Sequence, residues 1–407
     1  MFERRIPEWV RHAPVAGASG FAILSALDAG ARAILVSVFP LLMYRTLGSA
    51  EGVSAVYLGV GVIALAAALL IPWAMRRLPR RWMFTAGALT YALGAAVILA
   101  GGVAASPAAL ALASVASVTV FVCLNAYVLD FISQAELGRC ETMRMFYSAL
   151  AWSLGPFIGV WLVSIWTPLP FLVSAGFGVV LCLVFWKMRL GDGKLIRRSR
   201  APAANPLAYL ARFASQPRLV AGYLFAMLRS CGWWVYVVYL PIFAIQSGLG
   251  ERTGGIALSL TNSILFLTPL MLRWTRPRPV RVAVRAGFLW SAILFTAATV
   301  LHASPWVALA CLFVGSGFLV LLDIAGGLPF LMAVKPSERT EMSAVYSSFR
   351  DVSGILTPGV AFLVLLFVPV QGLFAAAGAG LLVGWGIAGR IPRRLGAARP
   401  PHGAAAQ

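Results

Sequence analysis

Residues 56–75 read VYLGVGVIALAAALLIPWAM, an unbroken apolar stretch without a charge, and runs of this kind recur from one end of the chain to the other. Wound as a helix, about 20 such residues cross a hydrocarbon core of roughly 30 Å. The strands of a membrane barrel would instead alternate apolar and polar positions in segments of about ten. A continuous apolar run predicts a helix, whose backbone groups are satisfied within the segment. The pattern predicts an all-α polytopic membrane protein with 12 transmembrane helices, at 19–45, 53–75, 82–102, 107–133, 143–166, 169–188, 219–246, 253–274, 281–302, 306–334, 341–367 and 370–389.

The formal net charge is +20, yet only 11% of residues are charged, so the placement of the charges says more than their sum. Arg76, Arg77, Arg80 and Arg81 follow span 2, Arg139 and Arg144 follow span 4, and Lys187 to Arg218 follow span 6. Arg273 to Arg285, Lys335 with Arg339, and Arg390 to Arg399 follow spans 8, 10 and 12. The opposite loops are nearly uncharged, with Arg45, Glu51, Glu251 and Arg252 as the exceptions. By the positive-inside rule, both termini and every even-to-odd loop are expected in the cytoplasm, as in a multi-pass protein of a bacterial-type inner membrane. A nucleic-acid reading of these basic loops gains nothing from stacked aromatics, so no nucleic-acid partner is expected. None of the five cysteines forms a CxxC pair, and neither a disulfide framework, a metal nor a cofactor is expected. The polar start, MFERRIPEWVRHAPVAG, reads as a cytoplasmic arm and not as a signal peptide.

The chain repeats itself at a spacing near 200 residues. Pro40 matches Pro241, each followed by Leu-Gly and an acidic residue. Met143, Tyr147, Ser148 and Gly155 match Met342, Tyr346, Ser347 and Gly354 at a constant offset. The expected organisation is an arm over 1–18, a six-helix bundle over 19–188, a cytoplasmic linker over 189–218, a second six-helix bundle over 219–389 and a tail over 390–407. Within the linker, Pro206 to Ser215 can form an interfacial helix with Leu207, Leu210 and Phe213 toward lipid and Arg212 toward head groups, or remain a tether.

With two pseudo-symmetric six-helix halves and both ends cytoplasmic, the chain resembles the major facilitator superfamily. SLGPFIGVWL in span 5 is similar to the Gly-Pro antiporter motif of its proton-coupled exporters, matching at Gly155, Pro156 and Gly159 and departing at Ala151 and Val160. The counterpart SGILTPGVAFL carries Pro358 and Gly359, so both segments read equally as hinges or as close-packing sites. WAMRRLPRRWM keeps the basic residues of the family's loop after span 2, which latches the two halves, and lacks its acidic residue and glycines. In span 4, VFVCLNAYVLDF has Asp130 and not the arginine motif of drug exporters. The resemblance implies alternating access by rocking of the two halves and a monomer as the working unit.

Ionisable groups at membrane depth cost roughly 3 kcal/mol each even on a lenient insertion scale, and face a polar cavity or a partner. Asp28 and Arg32 lie four apart, on one face of span 1, at depths of about 13 and 20 Å. The repeat places Arg229 in span 7 at the level of Asp28, and the resemblance implies that the first helix of each half lines a central cavity, so Asp28 is expected to face Arg229, with Arg32 sharing the acid; a purely structural ion pair is the competing reading. Asp323 has no base within a turn of its own helix, which nominates it, with Asp28, for proton coupling unless Arg229 or Arg350 reaches it through space. Asp130, Arg139, Arg350 and Asp351, at cytoplasmic helix ends, read as gate charges or solvated termini. Asn125, Tyr127, Trp152, Trp233, Trp234, Tyr236, Asn262 and Tyr346 are candidates for an apolar substrate site with a few orienting hydrogen bonds, or for packing.

These features point to a secondary transporter that exports a small organic molecule against protons. The alternative is uptake of an anionic metabolite or chelate clamped by Arg32 and Arg229. A receptor or scaffold is a third reading. The three histidines fall in the arm, an outer loop and the tail, and no HExxH, phosphate-binding glycine loop or nucleophile elbow is present, so no enzyme is expected.

Overall fold

The computed structural model of the chain describes residues 17–132, 136–188, 206–275, 277–334 and 339–392; most of the expected arm, linker and tail lies outside the described residues. All regular elements among the described residues are helical. They are α1 (Ala18–Val36), α2 (Val38–Leu47), α3 (Ala50–Arg77), α4 (Arg80–Gly101), α5 (Ser106–Phe131), α6 (Leu137–Ile165), α7 (Leu169–Lys187), α8 (Pro206–Ala214) and α9 (Pro217–Gln246). There follow α10 (Glu251–Ser263), α11 (Thr268–Thr275), α12 (Val280–Val300), α13 (Pro305–Ala325), α14 (Leu328–Ala333), α15 (Arg339–Ser347), α16 (Phe349–Leu365) and α17 (Val370–Ala388).

Among the described residues, 11 helical stretches are long and apolar enough to cross a membrane. One of them, Arg80–Phe131, has 52 residues, far more than a single crossing needs. Gly102 sits at φ 61°, a conformation that favours glycine, and opens a short 3-10 turn at Gly102–Ala105. There the chain reverses, so α4 and α5 pack side by side and the long stretch holds two of the twelve expected spans.

Proline explains why three spans are broken. A proline has no amide hydrogen for the carbonyl four residues earlier, and its ring crowds that carbonyl. Pro40 removes the bond to Val36, where α1 gives way to α2 at Ser37. Pro269 does the same at Leu265, inside the 3-10 segment Ile264–Leu267 between α10 and α11. Pro329 does so at Ala325, the last residue of α13, and Gly326 and Gly327 carry the chain into α14.

The chain divides into two compact units, one containing residues through Thr46 together with Val62 to the end of α7, the other containing Leu47–Gly61 and everything from α8 onward. In the first, Phe84 stacks on Phe185 at 4.3 Å and Tyr127 meets the same ring edge-on at 5.4 Å. Around them pack Phe21, Leu24, Val120 and Leu181, all essentially buried. In the second, Phe225 packs against Phe288 and Phe243 against Phe374, while the Ser54 hydroxyl lies 2.7 Å from that of Tyr239.

The linker segment 206–214 forms the helix α8, but Phe213 points the other way from the sequence expectation. Phe213, expected toward lipid, is 4% exposed and buries itself with Leu219, Phe330, Val334, Met342 and Val345. The apolar bed offered by α14 and α15 removes the ring from both water and head groups. Leu210 remains exposed.

Candidate functional site

The charge expected to be shared in the first unit is held within α1 and its neighbours. Arg32 Nη2 lies 2.6 Å from Asp28 Oδ2, one helical turn away. Tyr91 of α4 donates its hydroxyl to the other carboxylate oxygen, Oδ1, at 3.2 Å. Both oxygens of this carboxylate are thus engaged, and its side chain is only 4% exposed. Arg32 is more open: its side chain is 31% exposed, its guanidinium lies 5.6 Å from the Trp152 ring centroid, and its Nε is buried without a partner.

Gly155 and Gly159 explain how α6 comes close enough to α1 to bring Trp152 there. A Cβ at Gly155 would lie 2.6 Å from the Cβ of Ala33, and one at Gly159 would lie 1.9 Å from the carbonyl oxygen of Ile34. The run reads structurally as close packing, with Pro156 accommodated inside a continuous α6. Pro358 is likewise inside α16, and the neighbouring Gly359 has ordinary clearance from Leu58.

In the second unit, Arg229 of α9 pairs with Asp323 of α13, Nη1 to Oδ1, at 2.8 Å. Arg229, which the repeat set opposite Asp28, therefore has Asp323 as a partner, and Asp323 does not stand without a base. Three-dimensional packing supplied the base that the carboxylate's own helix lacks. Arg229 is 14% and Asp323 50% exposed at the side chain, the reverse of the balance in the Asp28 pair. The Arg229 guanidinium lies 6.0 Å from the Phe349 ring centroid, and Tyr346 meets Phe349 at 5.5 Å.

A third polar cluster escaped the sequence reading. Arg144, assigned to a cytoplasmic loop by charge alone, is 8% exposed within α6. Its Nε donates to the Ser25 hydroxyl at 2.7 Å, its Nη2 to Asn125 Oδ1 at 2.9 Å and its Nη1 to Glu141 at 2.5 Å. The guanidinium fork ties α1, α5 and α6 together one turn before Asp28. Nothing in the linear pattern distinguishes Arg144 from its solvated neighbours. Tyr91 carried no signal either, since an isolated tyrosine in an apolar span is ordinarily packing.

Among the expected gate charges, Asp130 is bonded by Arg80, whose guanidinium also lies 5.2 Å from the Tyr127 ring centroid. Arg139 and Arg350 are exposed, Arg350 lying 5.7 Å from the Phe349 ring, and Asp351 is half-buried. Asn125 serves Arg144, and Tyr127 is buried in the first core. Tyr236 is buried with its hydroxyl 2.7 Å from Thr261 Oγ1, which is itself 2.9 Å from Ser316 Oγ. Asn262 donates to the Leu258 carbonyl of its own helix. Trp233 packs on Tyr236, and Trp234 on Tyr57.

A family model described as the Major Facilitator Superfamily matches residues 21–358. The chain belongs to the Major Facilitator Superfamily. No curated protein matches it in sequence. Among solved structures, it is similar to the nucleoside transporter NupG at 15% identity and a TM-score of 0.69, covering 91% of this chain and 98% of that one. It is also similar to a POT family transporter solved with a thioalcohol-conjugated peptide, at 11% identity and a TM-score of 0.71, covering 90% of this chain and 95% of that one. Membership in this superfamily makes the protein a membrane transporter and not an enzyme.

Proposed function

We propose that this superfamily member is a proton-coupled exporter of a small organic molecule, working by alternating access in a bacterial-type inner membrane with both termini in the cytoplasm. Asp323 is the coupling carboxylate and Arg229 its counter-charge. The observation that carries this reading is the asymmetry between the two intramembrane acids. Asp28 has both oxygens occupied and almost no exposure, whereas Asp323 is half-exposed beside the Arg229 guanidinium. A carboxylate open on one side can take up a proton, and in doing so it releases the arginine that held it. Asp28 then has the steadier task of fixing Arg32 and, through it, the face of Trp152. Export is supported by the similarity of Gly155, Pro156 and Gly159 to the antiporter motif.

A second reading, uptake of an anionic metabolite, is favoured by Arg32. Its exposed fraction leaves guanidinium N–H donors for a carboxylate or phosphate oxygen. Transport in right-side-out and inverted vesicles, with nucleosides, dipeptides and organic anions as probes under an imposed pH gradient, separates the two. Concentration into acid-loaded inverted vesicles supports export. Accumulation by right-side-out vesicles under an acidic exterior, with protons entering alongside the probe, overturns it. Asp323→Asn is expected to abolish gradient-driven accumulation while sparing exchange of the same probe; a variant that still concentrates the probe would remove Asp323 from the coupling role.

A further inference from the structure

The aromatic residues around the Arg229–Asp323 pair do not end at Phe349. From Arg229, 6.0 Å over Phe349, the contacts run to Tyr346 at 5.5 Å, and Tyr346 stacks on Phe330 at 4.0 Å with the rings 13° apart. Phe330 in turn stacks on Phe213 of α8 at 6.3 Å and 28°. Four rings join the linker helix to the ion pair, and three of the four are held tightly: Phe213, Phe330 and Phe349 are 4%, 1% and 7% exposed.

Phe330 also sits where it bears on both halves of the pair. It lies on α14, the short helix that follows Asp323 across the Gly326–Gly327 break. It is pressed against α9 upstream of Arg229, where a Cβ at Gly222 would come within 2.8 Å of the Phe330 Cβ. A shift of this ring therefore displaces the helix end carrying the acid or the helix carrying the base. Close-packed side chains transmit such shifts because they leave no void to absorb them.

We propose that Phe213, docked against Phe330, is a positioning residue for the Arg229–Asp323 pair, so that the seating of the linker helix sets the geometry of that pair. The inference rests on reading Asp323 as the coupling carboxylate. It adds that the segment between the two halves is part of the coupling apparatus. The ring matters more than its volume, because stacking fixes the plane of Phe330 as well as its position.

Infrared difference spectroscopy tests this on the full-length protein in lipid nanodiscs, labelled with 13C-aspartate. The chain has five aspartates, and the Asp323 carboxylate band is identified by its loss in Asp323→Asn. Arg229→Gln gives the position of the band without its partner. In Phe213→Ala the band is expected to move toward that unpaired position, and Phe213→Tyr, which keeps the ring, is expected to restore it. Phe213→Leu preserves apolar volume and fold while losing the ring, and is expected to move the band in the same sense as alanine. A band unmoved in folded Phe213→Leu overturns the inference. The vesicle assay reads the coupling role separately: if Asp323→Asn still concentrates a probe, that reading falls even where the band has moved.

Discussion

Arg229 and Asp323 meet at 2.8 Å across α9 and α13, two helices far apart in the chain. The contact gives each charge a partner at a depth where an isolated ion is costly. Removing one member is therefore expected to cost more than removing both. Arg229→Gln should lower the unfolding free energy in detergent by at most about 1 kcal/mol, because half of the Asp323 side chain is exposed and the pair is screened. The double variant Arg229→Gln with Asp323→Asn should recover part of that loss. A double variant as unstable as the sum of the two singles would show that the pair is not coupled.

The close approach of α6 to α1 yields a sharper steric prediction. Gly159→Ala places a methyl group 1.9 Å from a backbone oxygen of Ile34, and a backbone atom cannot swing aside as a side-chain tip can. The expected cost is about 3 kcal/mol, the upper end of overpacking. Gly176→Ala, with nothing within 4 Å of the new atom, is the control and should be nearly neutral. Thermal unfolding followed by intrinsic fluorescence measures both.

The fold was largely legible because its signal is additive along the chain: each apolar run reports a helix regardless of its neighbours, and the basic loops set the expected orientation. The breaks at Ser37 and Ala325 were also available in principle, since Pro40 and Pro329 each remove a hydrogen bond four residues upstream. The site was legible only as an inventory. Asp28 with Arg32 lie one turn apart on a single helix, and the structure joins them. Asp323 with Arg229, and Arg144 with Ser25 and Asn125, are bonds between helices, which local spacing does not encode. Phe213 was misdirected because the amphipathic pattern of α8 shows an apolar face without showing whether lipid or protein covers it.

Arg144 gives a prediction that separates burial from charge. Arg144→Leu leaves Ser25 and Asn125 without their donor and is expected to cost about 1 to 3 kcal/mol. Glu141, 53% exposed, bonds the same guanidinium, yet Glu141→Gln should change stability by less than about 1 kcal/mol because water already screens that pair. Equal losses in the two variants would contradict the reading of Arg144 as a tie between α1, α5 and α6.

The two intramembrane carboxylates should also differ in reactivity. A protonated carboxyl group that a hydrophobic carbodiimide can reach gives its proton to a carbodiimide nitrogen and adds its oxygen to the central carbon, and the structure gives the two acids opposite accessibilities. Asp28 is enclosed, with Arg32 on one oxygen and Tyr91 on the other. Asp323 has half of its side chain open. Peptide mapping by mass spectrometry after brief treatment should therefore find the adduct on Asp323 and little on Asp28. Tyr91→Phe frees Asp28 Oδ1 and should raise labelling there, at a cost in stability of about 1 to 2 kcal/mol for the lost hydrogen bond. Labelling that favours Asp28 in the unaltered protein would reverse the assignment of the two acids, making the enclosed one the group that exchanges protons and Asp323 the fixed counter-charge of Arg229.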